Sequence, residues 1–219
     1  MGGERIDRGA DYLGLHVLAD DDPRWGATPV EQAEAACAAG VPVLQLRVKH
    51  ATDSQCLAWG HAIRQITRGS DTRFVVNDRY DLALLCEADA VHLGQGDLPP
   101  SALPKEARER LAVGRSTHTK AQLLAAQDED VDYVAFGPVF GTTSKDSEYA
   151  KRGLDALIEA VSLASPRPLV AIGGIGADDV VPLCKLGVGG IAVISVVAAA
   201  KDPTAAAKDL VDRFAEAKR

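Results

Sequence analysis

The sequence predicts an α/β fold: a single (β/α)8 barrel of the TIM type with parallel strands. Three observations carry that reading. Eight short apolar runs recur along 219 residues, each followed by residues at helical spacing. Strands that alternate with helices imply parallel strands joined by crossover helices. Polar residues then stand at the ends of many runs, as a barrel displays them, whereas an open doubly wound sheet gathers them at one switch point. No GxGxxG follows the first run, which weakens the open sheet further.

The runs come in order. Residues 1–11 (MGGERIDRGAD) are polar and expected to be loose, so the barrel domain spans residues 12–219. YLGLHVLA from Tyr12 is the first strand, and PVEQAEAACAAG is an amphipathic helix ahead of VPVLQLRV from Val41. DSQCLAWGHAIRQITRG leads to RFVVN from Arg73, and DAVHLG from Asp89 follows. RLAVGRS from Arg110, DYVAFGPVF from Asp132, PLVAIGG from Pro168 and GGIAVIS from Gly189 complete the set, with DDVVPLCKLG as a helix between the last two. PTAAAKDLVDRFAEAK closes the chain as a helix with proline in its first turn. Gly40, Gly69 and Gly187 fall where helices should end, where a left-handed residue is useful.

Composition narrows the function. A hydrophobic content of 47 % supplies a sizeable core. The net charge of -7 argues against a nucleic-acid or membrane-surface binder, since either needs a basic face. No run reaches the ~18 apolar residues of a membrane span, and no charged-then-apolar leader marks secretion. Cys37, Cys56, Cys86 and Cys184 form no CxxC pair and read as reduced, buried thiols. The expectation is a soluble cytoplasmic protein.

The site of such a barrel lies at the C-terminal strand ends. After the second run, alternation puts Gln45, Arg47 and Lys49 on one face and Leu46 and Val48 on the other. Two inward cations and an amide call for an anion. The third strand ends in Asn77-Asp78-Arg79, where Asp78 alone reads as a helix N-cap. The fourth ends in a glycine-rich turn carrying Asp97. Two carboxylates on neighbouring strand ends beside cations suit magnesium, which takes one or two carboxylates and completes its shell from phosphate oxygens. Ser116 after the fifth strand either donates to an anion or caps the helix near Lys120. The sixth offers Thr142, Thr143, Ser144 and Lys145 in a long polar loop ending at Gly153, read as a lid. Glycines 173, 174 and 176 and then Ser195 follow strands seven and eight, where barrels often hold a phosphate. The mouth thus contains two anion sites, one with charge enough for a diphosphate. No Cys/His pair or Ser/His/Asp constellation is evident.

These residues resemble the thiamine phosphate synthase family from about Tyr12 to the C-terminus. QLRVK, VVNDRYDLAL, VHLGQGDLP, VGRSTHT, VAFGPVFGTTSK, VAIGGI and IAVIS occur in the family's order. The resemblance implies a transferase that joins a hydroxymethylpyrimidine diphosphate to a thiazole phosphate, with one magnesium ion per site. It assigns Gln45, Leu46, Arg47, Val48, Lys49, Asn77, Ser116 and Lys145 to the pyrimidine diphosphate, with Arg47, Lys49, Ser116 and Lys145 as the catalytic groups. It assigns Asp78 and Asp97 to the metal, and Thr142, Thr143, Ser144, Gly174, Ile194 and Ser195 to the thiazole phosphate. Arg79 is expected to support the corner at Asp78. Val48 stands where the family usually has glutamate, and Ser144 where it has threonine. Two rivals are a thiazole tautomerase, for which His118 would be the acid–base residue, and a non-catalytic binder of phosphorylated precursors. Neither has a need for both carboxylates and Lys145. Oligomeric state and the form of the thiazole are not written in these motifs.

Overall fold

Strands β1 (Gly14–Asp20), β2 (Val43–Arg47), β3 (Arg73–Asn77) and β4 (Ala90–Leu93) pair in chain order, all parallel. Strands β5 (Ala112–Thr117), β6 (Tyr133–Phe136), β7 (Leu169–Ile172) and β8 (Gly190–Val193) continue the sheet, and β8 closes onto β1. The structure is a computed structural model and describes residues 8–141 and 150–219. Each strand overlaps the apolar run that predicts it; β1 and β5 each extend one residue beyond their runs, to Asp20 and Thr117. Around them run α1 (Pro29–Ala38), α2 (Asp53–Thr67), α3 (Tyr80–Leu85), α4 (Lys105–Arg110), α5 (Lys120–Gln127), α6 (Gly153–Ala164), α7 (Val180–Lys185), α8 (Ser195–Ala198) and α9 (Pro203–Ala217). Helix α1 starts at a capping box, with the Thr28 hydroxyl accepting from Glu31 N and Thr28 N donating to Glu31 Oε2. Thr52 caps α2 and Asp202 caps α9 in the simpler way.

Two faces of each strand make two cores. Leu15, Val17, Leu44, Leu46, Phe74, Val76, Val91 and Leu93 face outward into the layer shared with the helices. Leu18, Val43, Val75, Ala90, Ala112, Tyr133, Ala135, Val170 and Ala192 fill the barrel. Small residues suit the inner face because eight strands enclose little space. The Tyr12 ring stacks on Tyr133 with centroids 5.1 Å apart. His16 lies fully within this interior, its Nε2 2.8 Å from the Tyr12 carbonyl, and burial pushes its pKa down to about 4.

Some local expectations change. Gly40 and Gly187 adopt φ +74 and +88 at the ends of α1 and α7, as their positions suggest. Gly69 keeps a negative φ, because α2 ends through Arg68 in an ordinary right-handed conformation. Of the segment expected to be loose, residues 1–7 lie outside the described residues, while Gly9–Tyr12 form a 3-10 turn with Gly9 and Tyr12 buried. Among the described residues no helix is long and apolar enough to cross a membrane. All four cysteines are free, and burial pushes the Cys56 and Cys86 thiols up to about 11, so neither is a ready nucleophile.

Candidate active site

Gln45 and Arg47 point inward at the top of β2, as alternation requires, since Val43 on the same face lies in the inner core. The Arg47 guanidinium donates to the Asp20 carboxylate, its register partner at the end of β1. Asp20 is fully buried, and its second oxygen accepts from Trp25 Nε1 at 2.7 Å and Asp22 N at 3.0 Å. Gln32 on α1 clasps the Asp20 backbone at both its N–H and its carbonyl. Arg47 is therefore fixed before any anion arrives. Asp21 fixes the next stretch by accepting from the backbone N–H groups of Lys49, His50 and Ala51 at 2.8, 2.9 and 2.8 Å. Leu46 and Val48 face the outer layer, although Val48 borders the cleft that Asn77, Asp78 and Asp97 line.

Asp78 is not the N-cap of α3. Arg79 occupies that position without a side-chain cap, and Asp78 holds φ +65, a left-handed conformation that aspartate tolerates at some cost. Its N–H bonds the His92 carbonyl at 2.8 Å, which turns the carboxylate toward the mouth instead of onto the helix. There it accepts from Lys49 Nζ at 2.5 Å. Arg79, next to it in the chain, grips Asp53 at the start of α2 with two bonds of 2.8 Å, and Asp81 with two more. Asp97 accepts from Gly94 N at 2.6 Å. Burial raises its pKa above the usual carboxylate range, the hydrogen-bonded Asp78 carboxyl raises it further, and Gly94 N–H opposes both. Two adjacent carboxyls of this kind hold either a proton or a cation between them, and hard oxygen donors suit a small divalent ion. Among the described residues no group of three or more His, Cys, Asp or Glu could hold a metal, so further oxygens would come from elsewhere.

Ser116 does not cap α5. Thr119 does, accepting from Gln122 N at 3.2 Å. The Ser116 hydroxyl lies instead 2.8 Å from His92 Nε2, half-buried at the top of β5. His118 has its Nδ1 2.8 Å from the Gly137 carbonyl, which ties the ring to the loop after β6.

The opposite side of the mouth is made of backbone. Gly173 and Gly174 have φ +105 and +69, and a Cβ on Gly174 would lie 2.1 Å from the Gly141 carbonyl oxygen. Phe140 N donates to Gly173 O at 3.0 Å, so the loop after β6 is laced to the loop after β7. Ile194 precedes the short helix α8 without a side-chain cap, and Ser195 is exposed at its start. Thr142, Thr143, Ser144 and Lys145 lie outside the described residues, as does most of the expected lid.

A family model described as thiamine monophosphate synthase matches residues 15–197. The chain belongs to the thiamine monophosphate synthase family. The thiamine-phosphate synthase of Methanoregula boonei is 41% identical over 206 residues, covering 94% of this chain and 95% of its own. That of Chlorobium phaeovibrioides is 43% identical over 202 residues, covering 92% and 94%. Among solved structures, a thiamine phosphate pyrophosphorylase from Pyrococcus furiosus superposes with a TM-score of 0.83 at 34% identity, covering 95% of this chain and 98% of that one. The protein is thus an enzyme, a transferase of thiamine biosynthesis with the activity for which the family is named.

For a member of this family, sequence reasoning missed the supports of its cations. Asp20, Asp21 and Trp25 carry a visible signal, since the first run is followed by three consecutive aspartates, Asp20-Asp21-Asp22. Their roles need the register of β1 on β2. His92 and Tyr133 carry none, because each reads as an ordinary strand residue.

Proposed function

We propose that the enzyme joins 4-amino-2-methyl-5-(diphosphooxymethyl)pyrimidine to a hydroxyethylthiazole phosphate, carboxylated or not, releasing diphosphate. The observation that carries this reading is the cluster at the ends of β2, β3 and β4: Lys49 on Asp78, Asp97 beside it, and Arg47 held by Asp20. Arg47 and Lys49, joined by Lys145, Gln45 and Asn77, bind the diphosphate and stabilise the negative charge that gathers as its bond to the methylene carbon breaks. Asp78 and Asp97 would hold one magnesium ion, which when bound supplies further charge neutralisation to the diphosphate oxygens. Lys49 is released from Asp78 as it turns to the substrate. The aminopyrimidine ring delocalises the methylene cation, and the thiazole nitrogen attacks it. Thr142, Thr143, Ser144, Gly174, Ile194 and Ser195 hold the thiazole phosphate, fixing that nitrogen in line. The barrel excludes water, which would otherwise capture the cation.

The test is incubation with both phosphorylated precursors and magnesium, following thiamine phosphate and diphosphate together. Equal amounts of the two products are expected, with turnover lost on chelation and restored by magnesium. Isomerisation of the thiazole without diphosphate release would favour the tautomerase instead.

A further inference from the structure

Behind Ser116 the barrel interior holds two side chains for which the proposed reaction has no role. His92 on β4, Ser116 on β5 and Tyr133 on β6 share the inner face with Ala90, Ala112 and Ala135 by strand alternation. They meet beside Gly114, where a Cβ would lie 2.4 Å from His92 Nδ1 and 2.5 Å from the Tyr133 oxygen. The glycine therefore makes the room in which the two rings touch. His92 Nε2 lies 2.8 Å from Ser116 Oγ, and Nδ1 lies 3.1 Å from the Tyr133 hydroxyl.

We propose that His92 and Tyr133 are positioning residues that turn the Ser116 hydroxyl proton outward, toward an acceptor atom on the pyrimidine substrate. The inference rests on the reading of Ser116 as a substrate contact. Its logic is a count of protons. Tyr133 is 1% exposed, and among the described residues its hydroxyl has the His92 ring as its hydrogen-bond partner. Around it stand the stacked Tyr12 ring and the edge of His16. A buried phenol that fails to place its proton on an acceptor forfeits the desolvation cost of its hydroxyl with no hydrogen bond in return. Burial also holds its pKa well above the ordinary value, so it remains a donor throughout the working pH range.

Tyr133 thus donates to Nδ1, which leaves the His92 proton on Nε2. Nε2–H donates to Ser116 Oγ and occupies one of its lone pairs. The single hydroxyl proton of Ser116 is then free to point into the mouth, while Gln95 Nε2, donating to the Ser116 carbonyl at 2.7 Å, steadies the backbone. In the opposite tautomer Ser116 would donate inward and show the substrate only lone pairs. A donor aimed in advance costs no reorganisation when the substrate binds.

The experiment combines ring-nitrogen NMR of 15N-histidine-labelled enzyme with single-turnover kinetics on both phosphorylated precursors and magnesium. In the wild-type enzyme the His92 proton is expected on Nε2. Tyr133→Phe should spread it onto Nδ1 and lower the single-turnover rate about tenfold, leaving the apparent Kd of the pyrimidine diphosphate within about twofold. In a Ser116→Ala background the same Tyr133→Phe change should cost nothing further, since His92 acts through that hydroxyl. A wild-type proton on Nδ1 overturns the proposal, and that spectrum needs no variant to fold. Equal losses from Tyr133→Phe with and without Ser116 also overturn it. A Ser116→Ala enzyme of wild-type rate would instead remove the reading of Ser116 beneath it, even with the proton found on Nε2.

Discussion

From β1 to β4 the barrel mouth is built of charged side chains, whereas from β6 to β8 its described part is built of glycine backbone and a hydroxyl. The first half spends its own charges on one another: Arg47 on Asp20, Lys49 on Asp78, Arg79 on Asp53 and Asp81. The second half uses close approach, with Gly174 pressed against the Gly141 carbonyl. The difference teaches that one barrel mouth can be organised by two kinds of physics. Paired side chains hold a large charge in place before it is needed, at the cost of desolvation. Backbone groups at strand ends need no charge, but they need residues without a Cβ.

The sharpest break of this comparison is Asp78→Ala. Loss of the carboxylate should lower kcat/KM by a hundredfold or more, on the order of a lost electrostatic partner at the reacting bond. Thermal stability should fall only modestly: Asp78 caps no helix, but alanine tolerates its left-handed backbone less well than aspartate. A variant of normal rate at limiting magnesium would show that the charged half does not hold the metal.

The next largest effect tests whether acid sensitivity belongs to either half. His16 lies within the barrel below both, and its folded pKa of about 4 stands below the unfolded value of 6.5. The unfolded chain therefore binds the extra proton first. Stability that is complete above about pH 6.5 should drain away as the pH falls toward 4, by about 3 kcal/mol in all. Denaturant unfolding between pH 4.5 and 7 should show this slope, and His16→Asn should flatten it. An unchanged slope would move the cause to the mouth.

Asp20→Asn asks how much of the charged half rests on its hidden carboxylate. It removes the charge that faces Arg47 and weakens their hydrogen bond, which should cost about 2 kcal/mol in stability. The KM for the pyrimidine diphosphate should rise more than that for the thiazole phosphate. Equal changes would mean that Asp20 serves folding alone. The mildest test is Ser195→Asp on the other side. The new carboxylate should raise the KM for the thiazole phosphate about tenfold and leave the other KM within about twofold. A reversal of that order would exchange the two halves.

The strands and most long helices were legible because each rests on local chemistry: alternation, caps, prolines, and glycines such as Gly40 and Gly187. The inward face of Gln45 and Arg47 was legible for the same reason, since strand parity is a property of the backbone. Asp78 shows where local reasoning stops. An aspartate before a helix reads as a cap, and only its bond to the His92 carbonyl and its left-handed backbone aim it elsewhere.

By itself the sequence determined the barrel, its strand order and the inward faces of its strands, because parity and crossover handedness leave little choice once eight runs are set. Tertiary structure alone decided what those residues touch. Arg47 meets Asp20 because β1 and β2 pair in that register, and His92 meets Tyr133 and Ser116 because Gly114 leaves room between neighbouring strands. Contacts between strands far apart in the chain depend on register and side-chain volume together, and neither is carried by any single stretch of sequence.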